Sequence, residues 1–181
     1  MPNPETIRNI LVALQLIVVA IGLILAVRQL RLLTQQYRDL HDWNRRRASQ
    51  EALNAWATMS KDNKLINEAF DFLEKNDSIP LPQFQDKCKE LPELRASVHV
   101  LLNFFEGLAF GVNHRVYDEK LIQDAYDDVM KLTLFQFKDY INHHRHAGHA
   151  NAWLEVEQLL VRWKSEQDAV QARRVPTGSG A

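Results

Sequence analysis

The chain has 181 residues, with 22 Lys and Arg against 23 Asp and Glu, for a formal net charge of −1. That length holds about one domain, and the balanced charge supplies no bulk attraction toward nucleic acid. Cys88 is the only cysteine, which excludes an intrachain disulfide and suits a reducing compartment.

The first element is apolar. Residues 10–27 read ILVALQLIVVAIGLILAV, with Gln15 the only polar side chain and no charge. As a helix rising 1.5 Å per residue this run extends about 27 Å, close to the thickness of a bilayer's hydrocarbon core. A core helix of a soluble protein seldom stays apolar on every face for so long. A cleaved signal peptide fits less well. The run is too long for one, no small-x-small site precedes a polar start, and the chain passes directly into Arg28, Gln29, Leu30 and Arg31. The run therefore predicts a single transmembrane helix over 10–27, with residues 1–9 as a short tail beyond it. Arg8 stands before the helix; Arg28, Arg31, Arg38, Arg45, Arg46 and Arg47 stand after it. That excess sets the C-terminal side in the cytoplasm.

From residue 28 to about residue 58 there is no Gly and no Pro, so the helix is expected to continue as a stalk. Leu30, Leu33, Tyr37 and Leu40 fall at 3-4-3 spacing, a short a/d seam suited to parallel self-contact. The next seam positions are Asn44, Arg47, Glu51 and Asn54, so the seam stops there. Gln15 either hydrogen-bonds across the same helix–helix contact or is simply tolerated near a helix end. Arg28, Arg31, Arg45, Arg46 and Arg47 are candidates for anionic lipid headgroups, at roughly 1 kcal/mol each near a bilayer surface. The plainer alternative is a solvated cluster that sets topology. Nucleic acid is disfavoured, because only Trp43 and Trp56 could serve as stacking platforms.

A helix follows over SKDNKLINEAFDFLEKND, with Leu65, Ile66, Ala69, Phe70 and Leu73 on one face and Ser60 or Asp62 as its cap. Pro80, Pro82 and Pro92 mark the main irregular linker, interrupted by a short helix near Phe84–Cys88. Pro92 is placed to open the next helix, about Glu93 to Asn113. That helix is apolar nearly all round and is expected at the centre of a bundle. Its Gly107 and Gly111 would let a neighbouring helix approach closely. A further helix is expected from Asp118-Glu119 to about His143, broken from the last by Gly148. Asn151 is placed to cap that last helix, in which Trp153, Val156, Leu160 and Trp163 are spaced 3-4-3. The whole reads as all-α: a transmembrane helix, a juxtamembrane stalk over 28–58, a small cytoplasmic helical bundle over 59–173, and a disordered tail over 174–181.

Groups that could carry chemistry are few. His143, His144, His146 and His149 are dense enough to bind a transition metal, but there is no HExxH and no neighbouring Cys. They read better as surface histidines near a helix C-terminus. Glu106 interrupts the most apolar helix, where a carboxylate must be paired or protonated. Arg95, Arg115 and Arg162 are its expected partners. As a catalytic acid it would need helpers, and His99 and Arg115 are the candidates. The spacing of an Arg followed by a His in helical defence ribonucleases is not met by Arg95 and His99, or by Arg145 and His149. No P-loop, GxGxxG, GxSxG or CxxC occurs.

The block LLNFFEGLAFGVNHRVYDEKLI, the later FKDYINHHR and the closing AWLEVEQLLVRW together resemble the DUF4760 family of bacterial proteins, over roughly residues 50–165. Asn103-Phe104-Phe105-Glu106, then Gly111 and Asp118, carry the most specific part of the resemblance; Glu157 and Arg162-Trp163 add to it. The resemblance implies a helical cytoplasmic domain behind an anchor in the bacterial inner membrane, and it implies no activity. Three functions remain open: a membrane-anchored interaction module that binds itself or another membrane or cytoplasmic protein, a membrane-acting effector of a bacterial defence system, and a hydrolase or nuclease centred on Glu106. No cofactor is implied.

Overall fold

A computed structural model describes residues 3–174, with the side chains of 4, 6, 7, 10–13, 16, 173 and 174 left aside. The expected disordered tail therefore falls, from Val175 on, outside the described residues. The described residues form seven helices and no strand: α1 (Pro4–Thr58), α2 (Ser60–Phe70), α3 (Leu81–Glu90), α4 (Leu94–Asn113), α5 (Glu119–Gln136), α6 (Lys138–His146) and α7 (Leu154–Arg174). The chain is all-α, as expected. It divides into two compact units, the first ending at Asn44 and the second beginning at Arg45.

The first unit is α1 alone as far as Asn44. This helix is long and apolar enough to cross a membrane, and none of its most apolar window is buried inside the protein. No Gly or Pro interrupts it beyond Gly22, and straight-chain and aliphatic residues keep its propensity high.

The second unit opens with the last turns of α1. Ser49 is fully buried and receives the backbone N–H of Asp118 on its Oγ at 2.6 Å. Trp56 lies against Phe104, Phe105 and Tyr126 with ring centroids 5.4–5.7 Å apart. Helix α4 is the hub, packing most extensively on α2 and α7. It buries Leu94, Val98, Leu101, Leu102, Phe105, Leu108, Ala109 and Val112. One face remains open to solvent, where Val100, Asn103, Gly107 and Phe110 are exposed, so α4 is central without being enclosed. A polar link, Ser97 Oγ donating to Asp62 Oδ1 at 2.6 Å, ties it to α2.

Several boundaries differ from the sequence expectation. Helix α2 starts behind Met59 with no side-chain cap, so neither Ser60 nor Asp62 has that role, and it ends at Asp71 in the left-handed region, φ 52°. Pro92 lies in a turn closed by Leu94 N–H donating to Leu91 O at 3.0 Å, ahead of the first helical residue. The single helix expected from Asp118 to His143 is divided at Phe137. There Gln136 turns its carbonyl to the N–H of Ile79 at 2.9 Å, while its side-chain amide donates to the carbonyls of Phe72 and Lys75. Phe137 itself is fully buried against Phe70, Phe72 and Phe84. Tertiary partners from the α2–α3 linker thus outweigh continuation of the helix. Asp118 does cap α5, accepting from Leu121 N–H at 3.2 Å.

The two glycines of α4 also separate. A Cβ at Gly111 would collide with the ring of Tyr117, whereas Gly107 faces open space. The close approach at Gly111 is a turn folding back on its own helix, in which Val116 and Tyr117 both donate to Gly111 O.

Candidate functional site

Helix α4 carries a polar stripe. His99, Asn103, Glu106 and Asn113 recur every three, four or seven residues and so share one side of the helix. That side faces the start of α7. The carboxylate of Glu106 accepts the backbone N–H groups of Glu155 and Val156 at 3.2 and 3.0 Å. Those amides belong to the first turn of α7 and would otherwise lack partners. Glu106 is therefore a helix cap delivered from another helix, and its charge sits at the positive end of the α7 dipole. None of the arginines expected to pair with it does so among the described residues; Arg162 instead bonds Glu119 and Asn113. Asn151 does not cap α7, which begins at Leu154.

The rest of the stripe completes the clamp. Asn103 Oδ1 accepts the indole N–H of Trp153 at 2.9 Å, and Asn113 donates to Glu155 at 2.6 Å. Trp153 is buried at φ 56°, a left-handed conformation that is unfavourable for a bulky residue. From α6, Arg145 donates to the carbonyls of Ala152 and Trp153 and pairs with Glu157 at 2.9 Å. At the next turns of α7, Arg162 and the Trp163 indole both donate to Glu119 Oε1 at 2.6 and 2.8 Å. The residues that carry the family resemblance are thus largely those that seat α7 on α4, α5 and α6.

Above this clamp lies an open pocket of about 560 Å³, formed by the polar stripe, α6 and the loop between α6 and α7. His99, His144, His149, Asn103, Glu106 and Trp153 are among its lining residues. The rings of His144 and His149 stack almost parallel, 5° apart in plane and 4.2 Å between centroids. His99 meets His144 edge-on at 5.1 Å and Trp153 edge-on at 5.4 Å. It shares a hydrogen bond with the hydroxyl of Tyr140 through Nε2. Burial lowers His99, helped by Arg95 and His149. Burial also lowers His144, helped by His149, His99 and His143. The site disfavours added positive charge.

The histidine run is therefore split by the fold. His144 and His149 enter the pocket. His143 lines a smaller neighbouring cavity of about 110 Å³ with Arg95, Tyr140 and His144. His146 is exposed and bonds the carbonyl of Asn142 at 2.6 Å. Among the described residues, no group of three or more His, Cys, Asp or Glu is arranged to hold a metal ion. Of the three catalytic candidates, His99 and Glu106 share the pocket. Arg115 does not line it and lies in the turn after α4 at φ 59°. His99 as a member of the cluster, and Trp153 as its floor, were not foreseen. The polar stripe of α4 was the available signal for His99.

The remaining candidates lie on α1. Arg28 and Arg31 are exposed, as are Gln15, Leu30, Leu33, Tyr37 and Leu40. Arg46 approaches Asp118 at 3.6 Å and Arg47 donates to Glu51 at 2.9 Å, both within the second unit, while Arg45 is half-buried there.

A family model described as "domain of unknown function (DUF4760)" matches residues 16–163. No curated protein and no solved structure matches the chain.

Proposed function

The chain belongs to the DUF4760 family, and on that premise we propose that it is a single-pass, membrane-anchored helical interaction module whose second unit lies in the cytoplasm. One observation carries the reading. Ile17, Val18, Val19, Ile21, Leu23, Ile24 and Leu25 all remain more than half exposed. Burying seven such side chains is worth roughly 10–20 kcal/mol, as much as the whole stability of a typical domain. A bilayer removes that surface from water, and the helix satisfies its own backbone there. The arginines that follow the apolar run support the orientation. Arg28 and Arg31 are free to meet anionic headgroups. Leu30, Leu33, Tyr37 and Leu40, all exposed on one side of the helix, support contact with a second copy or another membrane protein.

Binding is favoured over hydrolysis in the second unit because both oxygens of Glu106 are used in capping α7. A general acid or nucleophile needs that carboxylate available to substrate. The test is fractionation of the full chain from lysed cells. The protein should sediment with membranes, resist extraction by salt and carbonate, and be released by detergent. Removal of residues 1–27 should leave the remainder in the supernatant. Full-length protein in the supernatant without detergent would overturn the proposal. Growth arrest or dye leakage on expression, lost with the same truncation, would favour the effector reading instead.

A further inference from the structure

The pocket beside α7 is lined by three imidazoles and by one carboxylate, Glu106, whose charge is already shared with the first turn of α7. The charged and titratable groups around it come from every element packed on the site. Helix α4 contributes Arg95, His99 and Glu106, and α3 contributes Cys88 next to Arg95. Helix α6 contributes Tyr140, His143, His144 and Arg145; the loop contributes His149; α7 contributes Glu155 and Glu157. Each of the acids among them already has a partner. Glu106 caps α7 with both oxygens, Glu155 accepts from Asn113, and Glu157 pairs with Arg145. Asn103 spends its oxygen on Trp153, which leaves its NH2 to donate.

Once its imidazoles are protonated, such an arrangement has donors in excess of acceptors, since each imidazolium donates from both nitrogens and accepts from neither. Two imidazoles stacked at 4.2 Å coexist easily when neutral and repel when both are protonated. An anion bound in the pocket beside these rings would reverse that balance, since it supplies countercharge to the imidazolium. We propose that this pocket is a proton-coupled binding site for a small oxyanion, a carboxylate or a phosphate group, held by His99, His144, His149 and the amide nitrogen of Asn103. The pocket lies in the size range of sites for small ligands and is open on one side. By linkage, the anion raises the proton affinity of the imidazoles and protons raise the affinity for the anion. The lowered proton affinities of His99 and His144 agree with this, because they leave room for an upward shift on binding.

The inference does not depend on membrane anchoring or self-association. Its test uses the full chain in detergent micelles, titrated calorimetrically with inorganic phosphate and, separately, with acetate. Phosphate should bind about tenfold tighter or more at pH 5.5 than at pH 7.5, as expected for uptake of at least one proton by an imidazole titrating between them. Repetition in buffers of different ionisation heat should report that proton, with sulfate, which does not titrate over this interval, run beside phosphate so that the ligand's own proton is separated from the imidazole's. His144→Gln and His149→Gln should remove the uptake, whereas His146→Gln, outside the pocket, should not. Because a variant could fail by unfolding, the histidine ring resonances of the unmodified protein give a second readout. Those of His99, His144 and His149 should shift on phosphate addition and those of His41 and His146 should not. A response to phosphate alone assigns a phosphate group, and an equal response to acetate assigns oxyanions generally. Binding that is absent, independent of pH, or unchanged in both pocket variants would overturn the proposal.

Discussion

Glu106 and the two glycines of α4 show how much a single residue's meaning depends on what stands opposite it. Glu106 supplies an N-cap to a helix about fifty positions later in the chain, so Glu106→Ala should cost about 1–2 kcal/mol, the usual value of a lost cap. Glu106→Gln keeps one acceptor and gives up the charge and one of the two accepted N–H bonds, a cost of about 0.5–1 kcal/mol. Urea unfolding of the two variants should rank them in that order. The reverse order would mean that the carboxylate's charge, rather than its hydrogen bonds, holds α7. Gly107 and Gly111 make an opposed pair. Gly107→Ala places a methyl group in open space on a helix and should stabilise by about 0.5–1 kcal/mol. Gly111→Ala drives Cβ into the Tyr117 ring and should destabilise by about 1–3 kcal/mol. From sequence, the four-residue spacing suggested one shared role for the two. Only the turn that folds Tyr117 back onto Gly111 tells them apart, and no periodicity encodes that turn.

At the scale of elements, what could be read from the chain was set by where the deciding partner lies. Helices α2, α4 and α5 were legible because an apolar stripe and a local cap such as Asp118 are written in consecutive residues. The division between α5 and α6 was not, because Ile79 and the carbonyls of Phe72 and Lys75 take up Gln136 from some sixty positions away. The start of α7 was missed for the same reason, its cap being on α4. The candidate site was half legible: the crowding of His143 to His149 marked a place, but the fold sends only His144 and His149 to meet His99. Their shared consequence is a pH dependence. Unfolded, both His99 and His144 bind a proton near pH 6.5; folded, both bind it less readily. As pH falls below about 6.5 the unfolded chain takes up protons first, so stability decreases there and levels off below the depressed folded values. Above that range the two residues add no pH dependence. Thermal unfolding midpoints in a non-coordinating, anion-poor buffer should therefore drop between about pH 6.5 and pH 5. The drop should be shallower in His144→Gln. A midpoint that rises over the same interval would mean that the imidazoles gain countercharge on folding.

For the whole molecule, the decisive feature is that α1 changes character along its length, from a helix apolar enough to cross a membrane to one packed into the second unit. Before Asn44 its described large apolar side chains, from Leu14 to Leu40, are exposed, and after Arg45 the same helix buries Ser49 and wedges Trp56 among Phe104, Phe105 and Tyr126. The 3-4-3 seam of Leu30, Leu33, Tyr37 and Leu40 ends just where that change occurs, at Asn44. A seam of four positions is too short to hold two helices together in water, where isolated helical contacts of this length are marginal. The membrane anchoring proposed above would alter the arithmetic, because parallel orientation and high local concentration would be imposed by the anchor rather than by the seam. Crosslinking in membranes should then trap oligomers of the full chain. Leu33→Asp with Leu40→Asp should abolish them, since each would bury a carboxylate against an apolar partner. The same double substitution should leave membrane sedimentation and the unfolding of the second unit unchanged. Residues 28–181, freed from the anchor, should run as monomers at micromolar concentration. Oligomers that persist in the double variant, or in the freed fragment, would move the self-contact away from the seam and onto the helical unit that follows it.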